Sequence, residues 1–137
     1  MKKNDTNPQT TVTTKEQGNR GEEIAIEYLR QRHYHILEHQ WHHLHYELDI
    51  IAEDVETSEI VIVEVKTRTS DAYGNPEDAV TTKKIRRIVS ATDFYLRRYN
   101  IELPYRFDII SIIINDKDGK YKLNHIKDAF YPPLTTR

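Results

Sequence analysis

The sequence predicts one small α/β domain, and three observations support that prediction. The chain has 137 residues, enough for a modest core. It is 37% hydrophobic and 31% charged, which is typical of globular proteins rather than disordered chains. Helix-type and strand-type segments follow the order α-β-β-α-β-β, with a possible extra strand before Trp41. We expect the domain to span residues 15–132, between a flexible N-terminal tail at 1–14 and a C-terminal tail at 133–137.

Composition excludes several classes of protein. The longest apolar runs are far shorter than the roughly 18 residues of a membrane span, so we expect no membrane association. The polar N-terminus lacks the apolar stretch of a signal peptide, and there is no cysteine for disulfides or thiolate zinc sites. Both features agree with a cytoplasmic location. The net charge of −2 means that any affinity for nucleic acid must come from a local basic patch.

The first predicted element is a helix from residue 15 or 16 to about 33. Its apolar residues recur at helical spacing, with charged residues mostly between them, and they are Ile24, Ala25, Tyr28 and Leu29. Gly18 and Gly21 are poor helix formers near its start. We expect the close approach of another backbone to account for both glycines.

The next two elements are predicted strands over residues 41–52 and 60–67. Glu47 and Asp49 share one face of the first strand, and Glu64 and Lys66 share one face of the second. If the strands pair through the polar connection at 52–58, Asp49 approaches Glu64 with Lys66 beside it. Such a group suits Mg²⁺ or Mn²⁺, which prefer oxygen ligands. Alternatively, these are ordinary acid–lysine pairs on an exposed sheet face.

Seven histidines form a second feature, six of them between residues 33 and 45. On an extended strand, His43 and His45 would share a face with Glu47 and Asp49, which makes a Zn²⁺ or Ni²⁺ site conceivable. The alternative is that the histidines are partly exposed and have no shared role.

A loop at residues 70–76, containing Gly74, Asn75 and Pro76, leads to a second predicted helix at 77–99. The apolar stripe of this helix consists of Ile85, Ile88, Val89, Thr92, Tyr95, Leu96 and Tyr99. Its first half also carries four basic residues, Lys83, Lys84, Arg86 and Arg87. These are either a solvated helix face or contacts to phosphate. Strands are predicted at 106–114 and 120–126, joined by a turn at 115–119.

Several of these motifs, in this order, resemble the YraN-like family of small uncharacterised bacterial proteins, in the version found in Bacteroidetes. The likeness covers about residues 18–132. Its motifs are Gly21-Glu22-x-x-Ala25, Glu47-Leu48-Asp49, Val63-Glu64-Val65-Lys66-Thr67-Arg68, Gly74, Lys84, Arg106-Phe107-Asp108 and the closing segment Ile126-Lys127-Asp128-Ala129-Phe130-Tyr131-Pro132.

The resemblance implies membership of the restriction-endonuclease-like superfamily, whose nucleases carry a PD-(D/E)xK motif. It implies a mixed β-sheet flanked by helices, close to the Holliday-junction-resolvase type. Glu22, Asp49 and Glu64 would then be metal ligands for Mg²⁺ or Mn²⁺, and with Lys66 they would form the catalytic set. Glu47 would lie beside the site. Many relatives have glycine where this chain has Tyr46, and we expect Tyr46 to face away from the acids.

The leading functional hypothesis is therefore a metal-dependent endonuclease that acts on DNA. Its nucleic-acid contacts would come from Arg68, Lys83, Lys84, Arg86 and Arg87. The alternative is a nucleic-acid-binding module that has the nuclease fold without turnover. A third hypothesis is an interaction scaffold, with Tyr28, Trp41, Tyr46 and the last strand forming a dimer face. A homodimer is also a reasonable expectation for junction binding.

Overall fold

Two helices flank one five-stranded sheet in the part of the chain that this computed structural model describes, residues 14–70 and 80–133. The helices are α1 (Thr14–Gln31) and α2 (Thr82–Arg98). The strands are β1 (Tyr34–His43), β2 (Tyr46–Asp54), β3 (Glu59–Thr69), β4 (Tyr105–Ile114) and β5 (Tyr121–Phe130). This α/β architecture confirms the predicted class and is compatible with a restriction-endonuclease-like fold.

The sheet is mixed, and its strands lie in chain order from β1 to β5. All neighbours are antiparallel except β3 and β4, which are parallel. A parallel pair requires a long crossover connection, and α2 lies in it. The two central strands are buried on both sides, which explains the nearly unbroken apolar runs of β3 and β4.

Each face of the sheet carries one helix and one apolar cluster. On one face, Ala25 and Leu29 of α1 pack against Val61 and Val63 of β3 and against neighbouring residues of β4. On the other, the buried side of α2 packs against Ile62 and the rings of the last two strands. The alternation of β3 therefore assigns its odd-numbered side chains to the α1 face and its even-numbered ones to the α2 face.

The predicted single strand at residues 41–52 is wrong, because the chain reverses within it. Trp41 belongs to β1 and pairs with Leu48 across a hairpin whose turn is at Leu44 and His45. Leu44 adopts the left-handed conformation with a φ of 55°. Neither residue is a usual turn former, so local residue preferences do not indicate the reversal. The possible extra strand before Trp41 is present as the first part of β1.

The second helix begins later than predicted. Thr81 is not helical and caps α2, its side chain accepting a hydrogen bond from the backbone N–H of Lys84 at 3.2 Å. Tyr99 was assigned to the apolar stripe but is 49% exposed, just beyond the helix. The predicted loop, including Gly74, lies within the segment 71–79, outside the described residues, as do most of the predicted tails. In the described ranges, neither helix is long and apolar enough to cross a membrane.

The two glycines of α1 have different surroundings. A Cβ on Gly21 would collide with the Thr67 side chain on β3, with Thr67 Cβ only 3.1 Å away, whereas a Cβ on Gly18 would have nothing within 4 Å. A neighbour does approach Gly21 closely, but it is a side chain and not the backbone that was expected, and the expectation is wrong for Gly18. Gly21 lets α1 lie directly on β3.

Both outer strands are irregular. The register of β1 shifts between Ile36 and Glu38, and Gln40 has a positive φ of 53°. The β4–β5 pairing shifts between Phe107 and Ile109, and Asp128 on β5 has a φ of 51°. These features are β-bulges, which bend and twist a strand locally.

Candidate functional site

The candidate site lies where β2 and β3 separate. Their ladder runs from Asp54–Glu59 to Ile50–Val63, and the next pair in that register is Asp49 with Glu64. At this pair a side chain joins the two strands. The Asp49 Oδ2 atom accepts a hydrogen bond from the Val65 N–H at 2.9 Å. This brings together the two acids that the sequence predicted to be neighbours.

Glu64 forms the centre of a charged group. Its side chain is 8% exposed, and Oε2 lies 3.3 Å from Lys66 Nζ and 2.6 Å from Lys84 Nζ. Glu64 and Lys66 therefore share a face, as predicted. Lys84, predicted only as a phosphate contact, reaches this carboxylate from the first turn of α2.

Glu22 reaches the site from α1 on the other face of the sheet. Its Oε1 lies 2.9 Å from His39 Nε2, and its side chain is 14% exposed. The charge of Glu22 also contributes to raising the pKa of Asp49. The close contact of Gly21 with Thr67 holds this end of α1 against β3. We define the cleft cluster as Glu22, Asp49, Glu64, Lys66 and Lys84.

The cleft cluster disfavours the charged forms of Asp49 and Glu22. Burial, with the negative charge of Glu64, raises the pKa of Asp49 to about 7. Burial also raises the pKa of Glu22, although the hydrogen bond to His39 opposes it. The pKa of Lys66 is lowered by burial and by nearby Lys84, whereas that of Lys84 is raised because the attraction of Glu64 outweighs its burial.

The oxygen donors of the cleft cluster, and the raised pKa values of two of its carboxylates, suit a divalent cation. Carboxylate oxygens are the ligands that Mg²⁺ and Mn²⁺ prefer, and a cation would lower the raised pKa values of Asp49 and Glu22. However, no three acidic or histidine side chains in the described ranges are arranged to hold a metal ion. Asp49 bonds to backbone, Glu64 to lysines and Glu22 to His39. Metal binding would require these side chains to exchange partners.

A cleft of about 470 Å³ opens beside the cleft cluster. Asp49 and Glu64 lie on its wall with Glu47, which is exposed next to the acids as predicted. The α2 side of the wall is basic and consists of Lys83, Lys84, Arg86 and Arg87. Arg68 shares the β3 face of Glu64 and Lys66 but is not one of the cleft-lining residues. Four of the five predicted nucleic-acid contacts are thus brought together.

Tyr46 was predicted to face away from the acids, and this is wrong. It lines the cleft with Glu47 and Asp49 and lies 5.6 Å, ring centroid to centroid, from Phe94 of α2. The aromatic residues predicted to form a dimer face lie on opposite faces of the sheet. Tyr28 packs with the α1-side cluster, whereas Trp41 and Tyr46 pack with the α2-side cluster.

The histidines do not form a metal site in the described ranges. The hairpin puts His43 on β1 and His45 in the turn, so they do not share a strand face with Glu47 and Asp49. Instead, His43 stacks on Phe94, and the His45 ring lies tilted against Tyr46. His39 bonds to Glu22, a contact between distant segments that the sequence did not signal.

A second ionic group lies at the other end of β2, on the α1 face. Arg106 is 6% exposed and bonds to three carboxylates, those of Asp54, Glu59 and Asp108, and to the Tyr34 hydroxyl. His125 Nε2 lies 2.8 Å from Asp108 Oδ2. We call this group the Arg106 cluster. The Arg106 cluster was not predicted from the sequence, although the i, i+2 spacing of Arg106 and Asp108 on a strand places them on one face.

Comparison with known proteins finds clear relatives. The model of the family described as "Uncharacterised protein family UPF0102" matches residues 21–112. A UPF0102 protein of Parabacteroides distasonis is 53% identical over 116 residues, covering 85% of this chain and 93% of the relative. Its counterpart in Phocaeicola vulgatus is 48% identical over 117 residues, with the same coverage. One from Syntrophomonas wolfei is 45% identical over 111 residues, covering 80% and 93%. These matches confirm the resemblance to the YraN-like family.

Proposed function

This chain belongs to the uncharacterised protein family UPF0102, and we propose that it is a metal-dependent endonuclease that hydrolyses phosphodiester bonds in DNA. The observation that carries the proposal is the position of the cleft cluster. Two acids and two lysines meet where β2 and β3 separate, and the adjoining cleft has a basic wall. Carboxylates suited to a cation beside cations suited to phosphate are what phosphodiester hydrolysis requires.

Glu22, Asp49 and Glu64 would hold Mg²⁺ or Mn²⁺. When bound, the ion supplies Lewis-acid polarisation of the phosphate and lowers the pKa of an attacking water. Glu47, exposed at the cleft wall, is placed to bind a water near that ion. The resemblance to PD-(D/E)xK nucleases supports this assignment of ligands.

The two lysines have different roles in the proposed site. Lys66 is the more buried of the pair, with 17% of its side chain exposed, and its lowered pKa favours accepting or passing on a proton. Lys84 keeps its charge, because Glu64 raises its pKa, and it would stabilise negative charge on the phosphate. Glu64 would hold the ion in place of its present contacts with Lys66 and Lys84, which would leave the two lysines to act on the substrate.

The basic wall of the cleft would hold the DNA backbone. Lys83, Arg86 and Arg87 are exposed on the first two turns of α2, next to the acids. Contacts of this kind set position and orientation without reading the base sequence. Arg68 extends the basic surface along β3. We therefore expect cleavage governed by DNA structure rather than by sequence.

One observation favours a second candidate, a nucleic-acid-binding module without turnover. The carboxylates of the cleft cluster already have protein partners, and Lys84 satisfies Glu64 at 2.6 Å. Such a module would bind DNA in a salt-sensitive manner, without divalent ions, and Asp49→Asn would leave that binding intact.

The metal site is tested by titrating Mn²⁺ into ¹⁵N-labelled protein and mapping paramagnetic broadening. We expect broadening centred on Glu22, Asp49, Glu64 and Lys66, and its loss in Asp49→Asn. Broadening around His42 to His45 instead would move the metal site to the histidines. No localised broadening would remove the metal from the proposal and favour the binding module.

Cleavage is tested with Lys66→Ala on a panel of single-stranded, duplex, overhang and four-way-junction DNA with Mg²⁺ or Mn²⁺. We expect a loss of at least about 100-fold in rate, with folding and DNA affinity nearly unchanged. Lys117→Ala is the matched control, because Lys117 is exposed in the β4–β5 turn. Undiminished cleavage by Lys66→Ala would refute the catalytic assignment. A wild type that binds DNA in EDTA but cleaves nothing would favour the module.

A further inference from the structure

A row of aromatic side chains adjoins the cleft cluster and has no part in the function proposed above. It joins the β1–β2 turn to α2. His43 stacks on Phe94 with ring centroids 4.6 Å apart and planes inclined by 22°, and Tyr46 lies 5.6 Å from Phe94 at 34°. His45 lies 4.5 Å from Tyr46. The rings of Tyr46 and Phe94 are half-buried, so each keeps part of its surface in contact with solvent.

A second cleft, of about 560 Å³, begins at this row. Its wall combines the two rings, Tyr46 and Phe94, with polar and charged groups from α2, namely Ser90, Asp93, Arg97 and Arg98. The volume is in the range of small-molecule sites. The exposed parts of two aromatic rings beside guanidinium groups suit a nucleotide, with its base on a ring and its phosphate on the arginines.

The two clefts are continuous along α2. Tyr46 and Ser90 line both of them. The basic residues of α2 continue across the junction, from Lys83, Lys84, Arg86 and Arg87 at the first cleft to Arg97 and Arg98 at the second. One strand of nucleic acid would thus meet the acids first and the rings next.

One charge in the second cleft opposes phosphate binding. Asp93 Oδ1 lies 3.2 Å from Arg97 Nε, in a pair whose side chains are 59% and 80% exposed. Exposed pairs of this kind contribute little and are screened by salt. Arg97 is therefore free to exchange its partner for phosphate at small cost, and Arg98 faces the same cleft.

We propose that the substrate is DNA with unpaired nucleotides next to the cut phosphate, and that their bases stack on Tyr46 and Phe94. This rests on the proposed nuclease function. In a duplex the base faces are covered by neighbouring bases, so rings in a cleft contribute nothing to binding it. In a single strand they are accessible, and stacking accepts any base. The preferred substrates are single strands and junctions between duplex and single strand.

Binding in EDTA tests this inference independently of cleavage. The probes are fluorescein-labelled single-stranded dT15, a 15-base-pair duplex and the same duplex with an overhang, measured by anisotropy. Wild type should bind the two probes with unpaired bases more tightly than the duplex. Tyr46→Leu and Phe94→Leu, which keep apolar bulk without a ring, should each weaken dT15 binding about tenfold and leave duplex binding unchanged. Tyr46→Phe should restore wild-type affinity.

Tyr105→Leu is the matched control, since Tyr105 is an exposed aromatic on β4, outside both clefts. It should alter no affinity. Equal losses on duplex and single strand in the ring variants, or a wild type that prefers duplex, would overturn the inference.

A crosslinking experiment on the unaltered protein covers the case in which a ring variant fails to fold. DNA carrying 5-iododeoxyuridine in the single-stranded part is irradiated on the wild type, and the adducts are mapped by mass spectrometry. Adducts at Tyr46 or Phe94 support the inference, and adducts confined to other residues overturn it. Cleavage failing while these contacts are found would refute the nuclease alone, because neither measurement depends on turnover.

Discussion

The Arg106 cluster and the cleft cluster both hold carboxylates beside cations, yet the pKa values of two carboxylates in each cluster shift in opposite directions. Burial alone would raise the pKa of Asp54 and Asp108, but hydrogen bonds from Arg106 and other donors lower both. In the cleft cluster, burial raises the pKa of Asp49 to about 7, and Glu64 and Glu22 add to the effect. Asp54 and Asp108 differ from Asp49 in the hydrogen bonds that they accept from a cation.

The geometry of the cations explains why the carboxylate pKa values shift in opposite directions. Arg106 presents a planar fork of donors that reaches several carboxylates at once, and Asp108 receives further bonds from His125 and the Asp128 N–H. In the cleft cluster both lysines converge on Glu64, whereas Asp49 accepts its hydrogen bond from the Val65 N–H. The first group stabilises the fold, and the second keeps acids under-compensated at a cleft.

Removing one cation from each cluster should give the largest difference between them in the free energy of unfolding. Arg106→Met leaves three carboxylates without their buried partner, and we expect a loss of about 3–5 kcal/mol in the free energy of unfolding. Lys84→Met is the matched variant in the cleft cluster, and its loss should be at most about 1 kcal/mol because Lys84 is 40% exposed. Urea denaturation measures both. Equal losses would mean that the clusters do not differ.

Replacing an aspartate by asparagine should change the free energy of unfolding in opposite directions in the two clusters. The measurement is made on metal-free protein in EDTA. The lowered pKa of Asp54 contributes stability above its unfolded value of about 3.8, which is lost as pH falls through the folded pKa. Asp54→Asn should therefore destabilise the protein at pH 7, with a difference that shrinks below about pH 4. The pKa of Asp49 is raised, so its ionisation costs stability that grows from about pH 4 to 7.

Asp49→Asn should consequently stabilise the protein at pH 8 relative to pH 5, by about 2–3 kcal/mol, since about two pH units lie between pH 5 and the folded pKa and each corresponds to about 1.4 kcal/mol. The Asn side-chain oxygen can still accept the bond from Val65. Denaturation curves at the two pH values measure the change. A loss of stability at pH 8 equal to that of Asp54→Asn would contradict the proposed electrostatic difference.

A smaller effect tests how the cleft cluster is positioned. Gly21→Ala places a methyl against Thr67, so we expect a loss of about 1–2 kcal/mol and a displacement of Glu22. Gly18→Ala is the control on the same helix. With open space at its Cβ, it should gain up to about 1 kcal/mol from helix propensity. Thermal unfolding measures the loss of stability at Gly21 and the gain at Gly18. The affinity for Mn²⁺ should fall for Gly21→Ala only. A tolerated alanine at Gly21 would show that α1 can move away.

The fold was largely predictable where periodicity is strong. The face shared by Glu64 and Lys66 follows from alternation along a strand, and Asp49 is opposite Glu64 because a short connection joins their strands. The β1–β2 turn was missed because Leu44 and His45 carry no turn chemistry. The contact of Lys84 with Glu64 and that of His39 with Glu22 were not predicted, because they depend on how α2 and β1 pack on the sheet, which local patterns do not encode.

The bulges of the two outer strands have a consequence for assembly. β1 and β5 are the edges of the sheet, and an unbroken edge offers unpaired N–H and C=O groups to a second copy of the chain. Kinks near Glu38 and Asp128 interrupt that ladder and turn the edge groups out of line. Growth of the sheet from one molecule into the next is thereby disfavoured, which protects the chain against fibrous aggregation and leaves helix or loop surfaces for any symmetric pairing.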